Sequence, residues 1–183
     1  MAVKKFTAEL SKSSIDNLIS QLQDYAITLD SRCEMFVKRL ADIGVNAAMM
    51  TLASKGIGDA ERSASFDITY TANGKRVKAV LSVTSEPNVT EDGRIFYPHL
   101  AWEFGAGNYY NGDTSPNPKA VDFGMGVGTF PEQTHVPNPG WWYYTDENGD
   151  STRSYGTQAT MPMYNASLEM ISKIESIAKE VFG

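Results

Sequence analysis

The side chains that most often perform catalysis or bind metal ions are scarce in this chain. The sequence contains one cysteine, Cys33, and two histidines, His99 and His135. A single cysteine excludes an intramolecular disulfide and a zinc site built from several cysteines. Because Cys33 falls on the apolar face of a predicted helix, a buried small side chain is favoured over a reactive thiol.

The two histidines offer little acid–base chemistry. His99 follows Pro98 in an aromatic run, which favours a structural role. His135 has Glu132 nearby, so a hydrolase using this pair is one alternative, although one histidine and one carboxylate do not make a metal site. The glycines at 105–107 and 124–128 do not lie in the strand–turn–helix motif that a phosphate-binding site needs. We therefore expect no enzyme activity, no cofactor and no metal.

Aromatic side chains, which can form binding surfaces, are plentiful in the sequence, and many lie between residues 96 and 144. Four are consecutive, from Trp141 to Tyr144. Side chains alternate along a strand, so such a run must present aromatic rings on both faces. One face can be core, and the other predicts either a protein interface or a platform for stacking sugars.

The composition sets the class of molecule that must position these residues. The chain has 183 residues, a formal charge of −6 and 42% hydrophobic residues, which predicts one domain, 1–183. The excess of acidic over basic residues argues against a broad surface that binds nucleic acid. No apolar run follows Lys4 and Lys5, and no window approaches a membrane span. A soluble protein made in a cytoplasm is expected.

Helical spacing dominates the two ends of the chain. Residues 13–55 predict two helices capped by Ser13 or Ser14 and by Asp30 or Ser31, with a pause at 28–31. Residues 163–181 predict a final helix. The expected buried face of the second helix is Cys33, Phe36, Val37, Leu40, Ile43, Ala47 and Met50, and that of the final helix is Met163, Ala166, Met170, Ile171, Ile174, Ile177, Ala178 and Val181.

Period-two patterns predict the sheet. Residues 65–83 alternate around Asn73-Gly74, the strongest short signal for a hairpin. Residues 94–104 are expected to add a central strand. Because Pro98 interrupts this segment, two alternatives are an edge strand and a short helical turn followed by a strand. Residues 141–155 predict a second hairpin. The fold class is α+β: an antiparallel sheet of hairpins with the N-terminal and C-terminal helices packed on one face.

Residues 105–140 have a different composition, rich in proline, glycine and asparagine. So long a loop without its own structure is uncommon in a compact domain and is usually functional or disordered. Because this one also carries Tyr109, Tyr110, Phe123 and Phe130, we expect a loop that becomes ordered against something.

Four stretches, in order, resemble a phage tail-component family, the one named after gene product ten of the Hong Kong lambdoid phage. They are the helical run 15–48, Ala101-Trp102-Glu103-Phe104-Gly105-Ala106-Gly107, Gly140-Trp141-Trp142-Tyr143-Tyr144, and Gly156-Thr157-Gln158-Ala159-Thr160-Met161-Pro162-Met163 followed by Ala166. The second resembles the family's Glu-Phe-Gly-x-Gly, its most specific motif. Met163 replaces a usual phenylalanine, and the loop 108–139 is longer than the family pattern.

The resemblance implies a structural protein of the phage head–tail interface, a tail-completion or tail-terminator ring, often of six subunits. Its partners would be its own copies, the tail tube protein and the head–tail connector or stopper proteins, with DNA only passing through. It would reside in the tail or neck of the virion after assembly in the bacterial cytoplasm.

A ring subunit needs two different surfaces for its neighbours. We expect the aromatic segment to supply them, through Trp102, Glu103, Phe104, Tyr109, Tyr110, Phe123, Phe130, Trp142 and Tyr144. The alternative is a carbohydrate-binding module that uses Trp141, Trp142, Tyr109 and Tyr110 as a platform.

Overall fold

The computed structural model describes residues 5–54, 64–73, 76–89, 95–107, 117–125, 142–145, 149–154 and 156–183. Within them lie three α-helices: α1 (Lys12–Ser54), α2 (Pro98–Phe104) and α3 (Pro162–Phe182). Antiparallel pairs join β1 (Ala64–Asn73) to β2 (Arg76–Ser85), β3 (Asn88–Val89) to β4 (Ile95–Phe96), β5 (Ala106–Gly107) to β8 (Gly156–Thr157) and β6 (Trp142–Thr145) to β7 (Ser151–Ser154).

Helix α1 is continuous, so the prediction of two helices with a pause at 28–31 is wrong. It has 43 residues and is about 65 Å long. The Thr28 hydroxyl donates to the carbonyl of Asp24 at 2.8 Å, so this polar residue is accommodated inside the helix. No proline or glycine precedes Gly44 to interrupt it. The cap is Ser11, whose hydroxyl accepts the backbone N–H of Ser14 at 3.3 Å.

The β1–β2 hairpin is confirmed, and its register separates an apolar face from a polar one. Phe66 pairs with Val83 and Ile68 with Leu81, which places these four side chains on one face. The C-terminal half of α1 lies against this face. Leu52 of α1 and Trp102 of α2 form a buried cluster on which Ala64 and Phe66 pack.

Helix α3 confirms the predicted C-terminal helix and lies antiparallel to α1. Arg39 of α1 pairs with Glu180 of α3 at 2.8 Å, and Phe36 contacts Phe182 with ring centroids 5.7 Å apart. Gly44 marks the closest approach: a Cβ placed there would lie 2.7 Å from the sulfur of Met170 and 3.0 Å from Cδ2 of Leu81. The two terminal helices therefore pack together and against the first hairpin, an α+β arrangement.

The predicted buried faces are only partly right. In α1 the buried residues are Ala41, Gly44, Ala48 and Leu52, whereas Met50 is 72% exposed. In α3 Ala166, Ile177 and Val181 are buried, but Ile171 is 63% exposed. Small residues line the contact of α1 because they allow close approach of the backbones, which a hydrophobicity pattern does not register.

The described residues 95–104 do not form a central strand, whereas the alternative of a short helical turn before a strand agrees with α2 followed by β5. Only Ile95–Phe96 is extended, and Pro98 begins α2. Proline suits this position because its missing N–H is one of those left unpaired at any helix start, and its φ is already helical. The strand pairs within the described residues form separate two-stranded ladders, and no described strand joins the two hairpins. The second hairpin itself is confirmed, with Tyr143 opposite Arg153.

Candidate functional site

The structure divides the predicted interface residues into three groups. Trp102, Glu103 and Phe104 are buried within the chain, at 7%, 8% and 4% exposure, so the prediction that they contact a partner is wrong. Phe123 is 65% exposed. Tyr109, Tyr110 and Phe130 lie outside the described residues, as do the side chains of Trp142 and Tyr144, whose backbones belong to β6.

The Glu103 carboxylate caps α3 from another helix. Its Oε2 accepts the backbone N–H of Met163 at 2.8 Å, and its Oε1 accepts that of Tyr164 at 3.0 Å. These are two of the N–H groups that a helix start leaves without partners, and a negative charge there also interacts favourably with the helix dipole. Pro162, the first residue of α3, has no N–H to satisfy. Glu103 therefore anchors α3 to α2.

Asn117 completes the surroundings of this carboxylate. Its amide nitrogen donates to Oε1 of Glu103 at 2.8 Å, and its amide oxygen accepts the backbone N–H of Lys119 at 2.8 Å. Burial raises the pKa of Glu103, and the hydrogen bonds from Met163, Tyr164 and Asn117 oppose that rise without cancelling it. Since every described contact is to the chain's own structure, the carboxylate acts as a structural anchor.

The backbone beside Glu103 joins the same two segments. The Trp102 carbonyl accepts the N–H of Thr160 at 2.8 Å and that of Met161 at 3.0 Å. Met161 has a φ of 57°, the left-handed conformation, in the position just before α3. The carbonyl therefore fixes the sharp entry of the chain into α3.

Gly105 follows α2 at a position that requires glycine. Its φ is 81°, and a Cβ there would lie 3.2 Å from the nitrogen of Ala159 and 3.3 Å from the oxygen of Thr157. From Gly105 the chain enters β5, where Ala106 pairs with Thr157. Two of the stretches that carry the family resemblance, 101–107 and 156–163, thus meet in one buried joint.

His99 has the structural surroundings that its sequence context indicates. Its Nδ1 lies 2.8 Å from the hydroxyl of Ser85, which also accepts the backbone N–H of His99 at 3.3 Å. Burial lowers the pKa of His99. The pair ties α2 to the end of β2. The other histidine candidate, His135 with Glu132, lies outside the described residues.

The described residues hold no group of three or more histidine, cysteine, aspartate or glutamate side chains placed to bind a metal ion. No helix in the described ranges has the length and apolarity needed to cross a membrane. Two open grooves lie beside α1, one between α1 and α3 and one between α1 and β1.

The strongest surface feature is the N-terminal half of α1. We call residues 12–35 the arm, because α3 reaches only to the level of Phe36 and the arm continues beyond it for about 36 Å. Ile15, Ile19, Leu22 and Leu29 lie on one face of the arm and are 43%, 49%, 45% and 40% exposed. An apolar stripe of this kind marks an interaction surface.

A second apolar surface lies on α3. Leu168 and Ile171 are 48% and 63% exposed, on the side away from the buried residue Ala166. Ile174, 45% exposed, lies on the flank of the helix beside the buried Val181. Ile171 and Ile174 belong to the predicted buried face of the final helix, so the prediction is wrong for both. Hydrophobic spacing does not indicate whether the rest of the chain covers an apolar helix face.

Comparisons with protein-family models, with curated proteins and with solved structures give no match. The family resemblance therefore rests on the four sequence stretches, two of which the buried joint brings together.

Proposed function

We propose that this protein is a structural subunit of the phage head–tail interface, a tail-completion or tail-terminator ring that joins the tail tube to the neck. The proposal combines the resemblance with a physical property of the fold. Its partners are its own copies in a ring of six, the tail tube protein and the connector or stopper proteins, and its location is the virion tail or neck after assembly in the host cytoplasm.

The observation that carries the proposal is the open apolar stripe of the arm. A monomeric enzyme gains nothing from a helix that projects about 36 Å past its body with isoleucine and leucine facing water. A subunit of an assembly does gain, because the exposed side chains become buried when a neighbour covers them. The motifs shared with the family support the same reading, since they build the frame that holds α3 in place.

The test is assembly. Light scattering after size-exclusion chromatography measures the mass in solution, and negative-stain microscopy shows the shape, both with and without the tail tube protein. We expect ring-shaped particles with a central opening. A chain that remains a monomer and forms no ring even with the tail tube protein present would overturn the proposal.

The genes beside the coding sequence provide an independent check. Head genes on one side and a tail tube gene on the other are expected for a head–tail protein. The carbohydrate-binding alternative predicts instead saturable sugar binding that is lost in Trp142→Ala.

A further inference from the structure

Residues 117–125, which we call the strap, are held in shape by their own hydrogen bonds. The Asn117 carbonyl accepts the N–H of Ala120 at 3.1 Å, in a turn that begins with the favoured pair of asparagine and proline. At the other end, the Ala120 carbonyl accepts the N–H of Met125 at 3.0 Å, and Gly124 adopts the left-handed conformation that closes this motif. The strap is therefore a locally complete unit.

The strap contacts α2 through Asn117 and Phe123. The Asn117 amide nitrogen donates to Oε1 of Glu103 at 2.8 Å and to the main-chain carbonyl of Glu103 at 3.3 Å. The ring centroid of Phe123 lies 5.8 Å from that of Phe104. Within the strap only Asn117 and Ala120 are buried. A region with so few buried residues opens locally at a lower free energy than a packed core.

The amide of Asn117 also orients the Glu103 side chain. Because it binds a main-chain and a side-chain oxygen of the same residue, it fixes the carboxylate relative to its own backbone. The same Oε1 accepts the N–H of Tyr164, and Oε2 accepts that of Met163. Both oxygens must face the first turn of α3 to make these bonds. Asn117 therefore holds the carboxylate in the orientation in which it caps α3.

Undocking of the strap would open this site to water. Asn117 is 3% exposed and Glu103 is 8% exposed, so each shields the other in the docked state. Once the strap leaves, water competes with the N–H groups of α3 for the carboxylate. The Glu103 side chain also regains the rotamers that Asn117 excludes. Both effects weaken the cap of α3.

We propose that residues 117–125 are a detachable strap whose docking on Glu103 controls the first turn of α3. In the docked state Asn117 orients the carboxylate and the cap is complete, and in the undocked state the carboxylate is solvated and the first turn of α3 frays. The coupling is reciprocal, because two contacts that share one carboxylate influence each other by the same free energy. This device does not depend on the proposed ring.

The strap also gives physical content to the prediction for residues 105–140. Their composition predicts a segment that becomes ordered against something, and the strap within it is ordered against α2 of the same chain. Through Glu103, an event that undocks the strap would reach α3, the helix that packs on α1.

Thiol labelling measures undocking. In a Cys33→Ser background, Ala120→Cys places the only thiol at a buried position of the strap, and Ala48→Cys, at a fully buried position of α1, is the control. Iodoacetamide should label Ala120→Cys at least about 100-fold faster than Ala48→Cys. The rate for Ala120→Cys should hardly change in low urea, because local opening exposes little surface, whereas the rate for Ala48→Cys should rise steeply.

The variant Asn117→Ser tests the coupling to α3. Serine also favours the start of a turn, but its shorter side chain does not reach Glu103. We expect labelling of Ala120→Cys to become about 10-fold faster in this background, and hydrogen exchange at the amides of Met163 and Tyr164 to become about 10-fold faster in Asn117→Ser alone. The exchange measurement needs no introduced thiol, so it tests the coupling even if a sulfur at position 120 disturbs the strap.

Lys119→Ala is the matched control, because this side chain lies in the strap, is exposed and pairs only at the surface with Asp122. It should leave the exchange of Met163 and Tyr164 unchanged. An effect as large as that of Asn117→Ser would assign the change to the turn itself and overturn the proposal.

Three other results would also overturn it. If labelling of Ala120→Cys depends on urea as steeply as that of Ala48→Cys, the strap opens only when the whole body unfolds. If Ala120→Cys is labelled as fast as the unfolded chain, the strap is not docked. If Asn117→Ser leaves the exchange of the first amides of α3 unchanged, the strap does not control that turn.

Discussion

At the scale of single residues, Glu103 holds more of this structure together than any other charged side chain described. Its carboxylate receives hydrogen bonds from two backbone N–H groups of α3 and from the amide of Asn117. Replacing one of its oxygens by an amide nitrogen would leave at least one of these three donors without an acceptor, since an amide nitrogen accepts no hydrogen bond and unpaired buried N–H groups are costly.

Replacing Glu103 by glutamine tests this arrangement. The amide nitrogen of the new side chain would face an N–H donor, so we expect Glu103→Gln to lower the free energy of unfolding at pH 7 by about 2 kcal/mol. Chemical denaturation followed by circular dichroism measures the change. Glu169→Gln, an exposed carboxylate 3.6 Å from Lys173, is the control and should change the stability by less than about 0.5 kcal/mol. Equal losses of unfolding free energy in Glu103→Gln and Glu169→Gln would contradict the anchoring role of Glu103.

The pH dependence follows from the raised pKa of Glu103. Because the folded chain holds the proton more strongly than the unfolded chain, the stability that this side chain contributes is present below its ordinary pKa of 4.5 and decreases as the pH rises through the folded value. The difference in unfolding free energy between wild type and Glu103→Gln should therefore be smaller at pH 7.5 than at pH 4.5. A difference that grows with pH would mean that the hydrogen bonds outweigh burial.

Two glycines with positive φ form a matched pair. Gly105 has a φ of 81° with backbone atoms of Ala159 and Thr157 close to any added Cβ, whereas Gly124 has a φ of 69° and nothing within 4 Å. Gly124→Ala should cost about 1 kcal/mol, the strain of the left-handed conformation alone. Gly105→Ala should cost clearly more, because backbone atoms cannot move aside. Thermal unfolding of both variants measures the two losses of stability. Equal losses would mean that the backbone around Gly105 can move to accommodate the added methyl group.

At the scale of elements, the packing of α1 on α3 and on the hairpin depends on small side chains. Ala41, Gly44 and Ala48 are the buried residues at this crossing, with Leu81 of β2 and Met170 of α3 close to Gly44. Interiors are tightly packed, so the helices approach as closely as these residues permit. The surface ion pairs beside them, such as Arg39 with Glu180, are exposed and add little.

Gly44→Ala measures how tightly this crossing is packed. The added methyl would lie 2.7 Å from the Met170 sulfur and 3.0 Å from Leu81, so we expect a loss of about 1–3 kcal/mol. The double variant Gly44→Ala with Met170→Ala removes the closest neighbour, and in it the added methyl should cost less than in the wild-type background. If the methyl stabilises the chain instead, its helix propensity outweighs the crowding.

At the scale of the whole molecule, the chain consists of a packed body and a projecting arm. The body contains the C-terminal half of α1, the first hairpin, α2 and α3, joined at Glu103 and around Gly44. The arm has helical hydrogen bonds but little tertiary packing, and tertiary packing supplies most of the stability of a helix in a protein.

Hydrogen exchange should separate these two parts. In the monomeric chain, amides in the arm should exchange faster than amides at residues 40–52 of the same helix. In the assembled wild type, protection of the arm should rise toward that of the body. An arm that is as protected as the body in the monomer would contradict this division.

The sequence by itself determined the local structure wherever the period of the apolar residues was unambiguous. Both hairpins, the final helix and the helical character of residues 12–54 follow from spacing and turn residues, since these depend on neighbours along the chain. It did not determine that α1 passes through Thr28 unbroken, because a polar residue at this point is compatible with a helix boundary and with a helix interior, where its hydroxyl donates to the carbonyl of Asp24.

Only the tertiary structure decided which apolar residues are covered. Trp102, Glu103 and Phe104 were predicted to form an interface and are buried, while Met50 and Ile171 were predicted to be core and are exposed. Period and composition are the same for a helix face that packs within the chain and for one that remains exposed in the described structure. The difference arises from where α3 ends along α1, a long-range contact between residues 36 and 182.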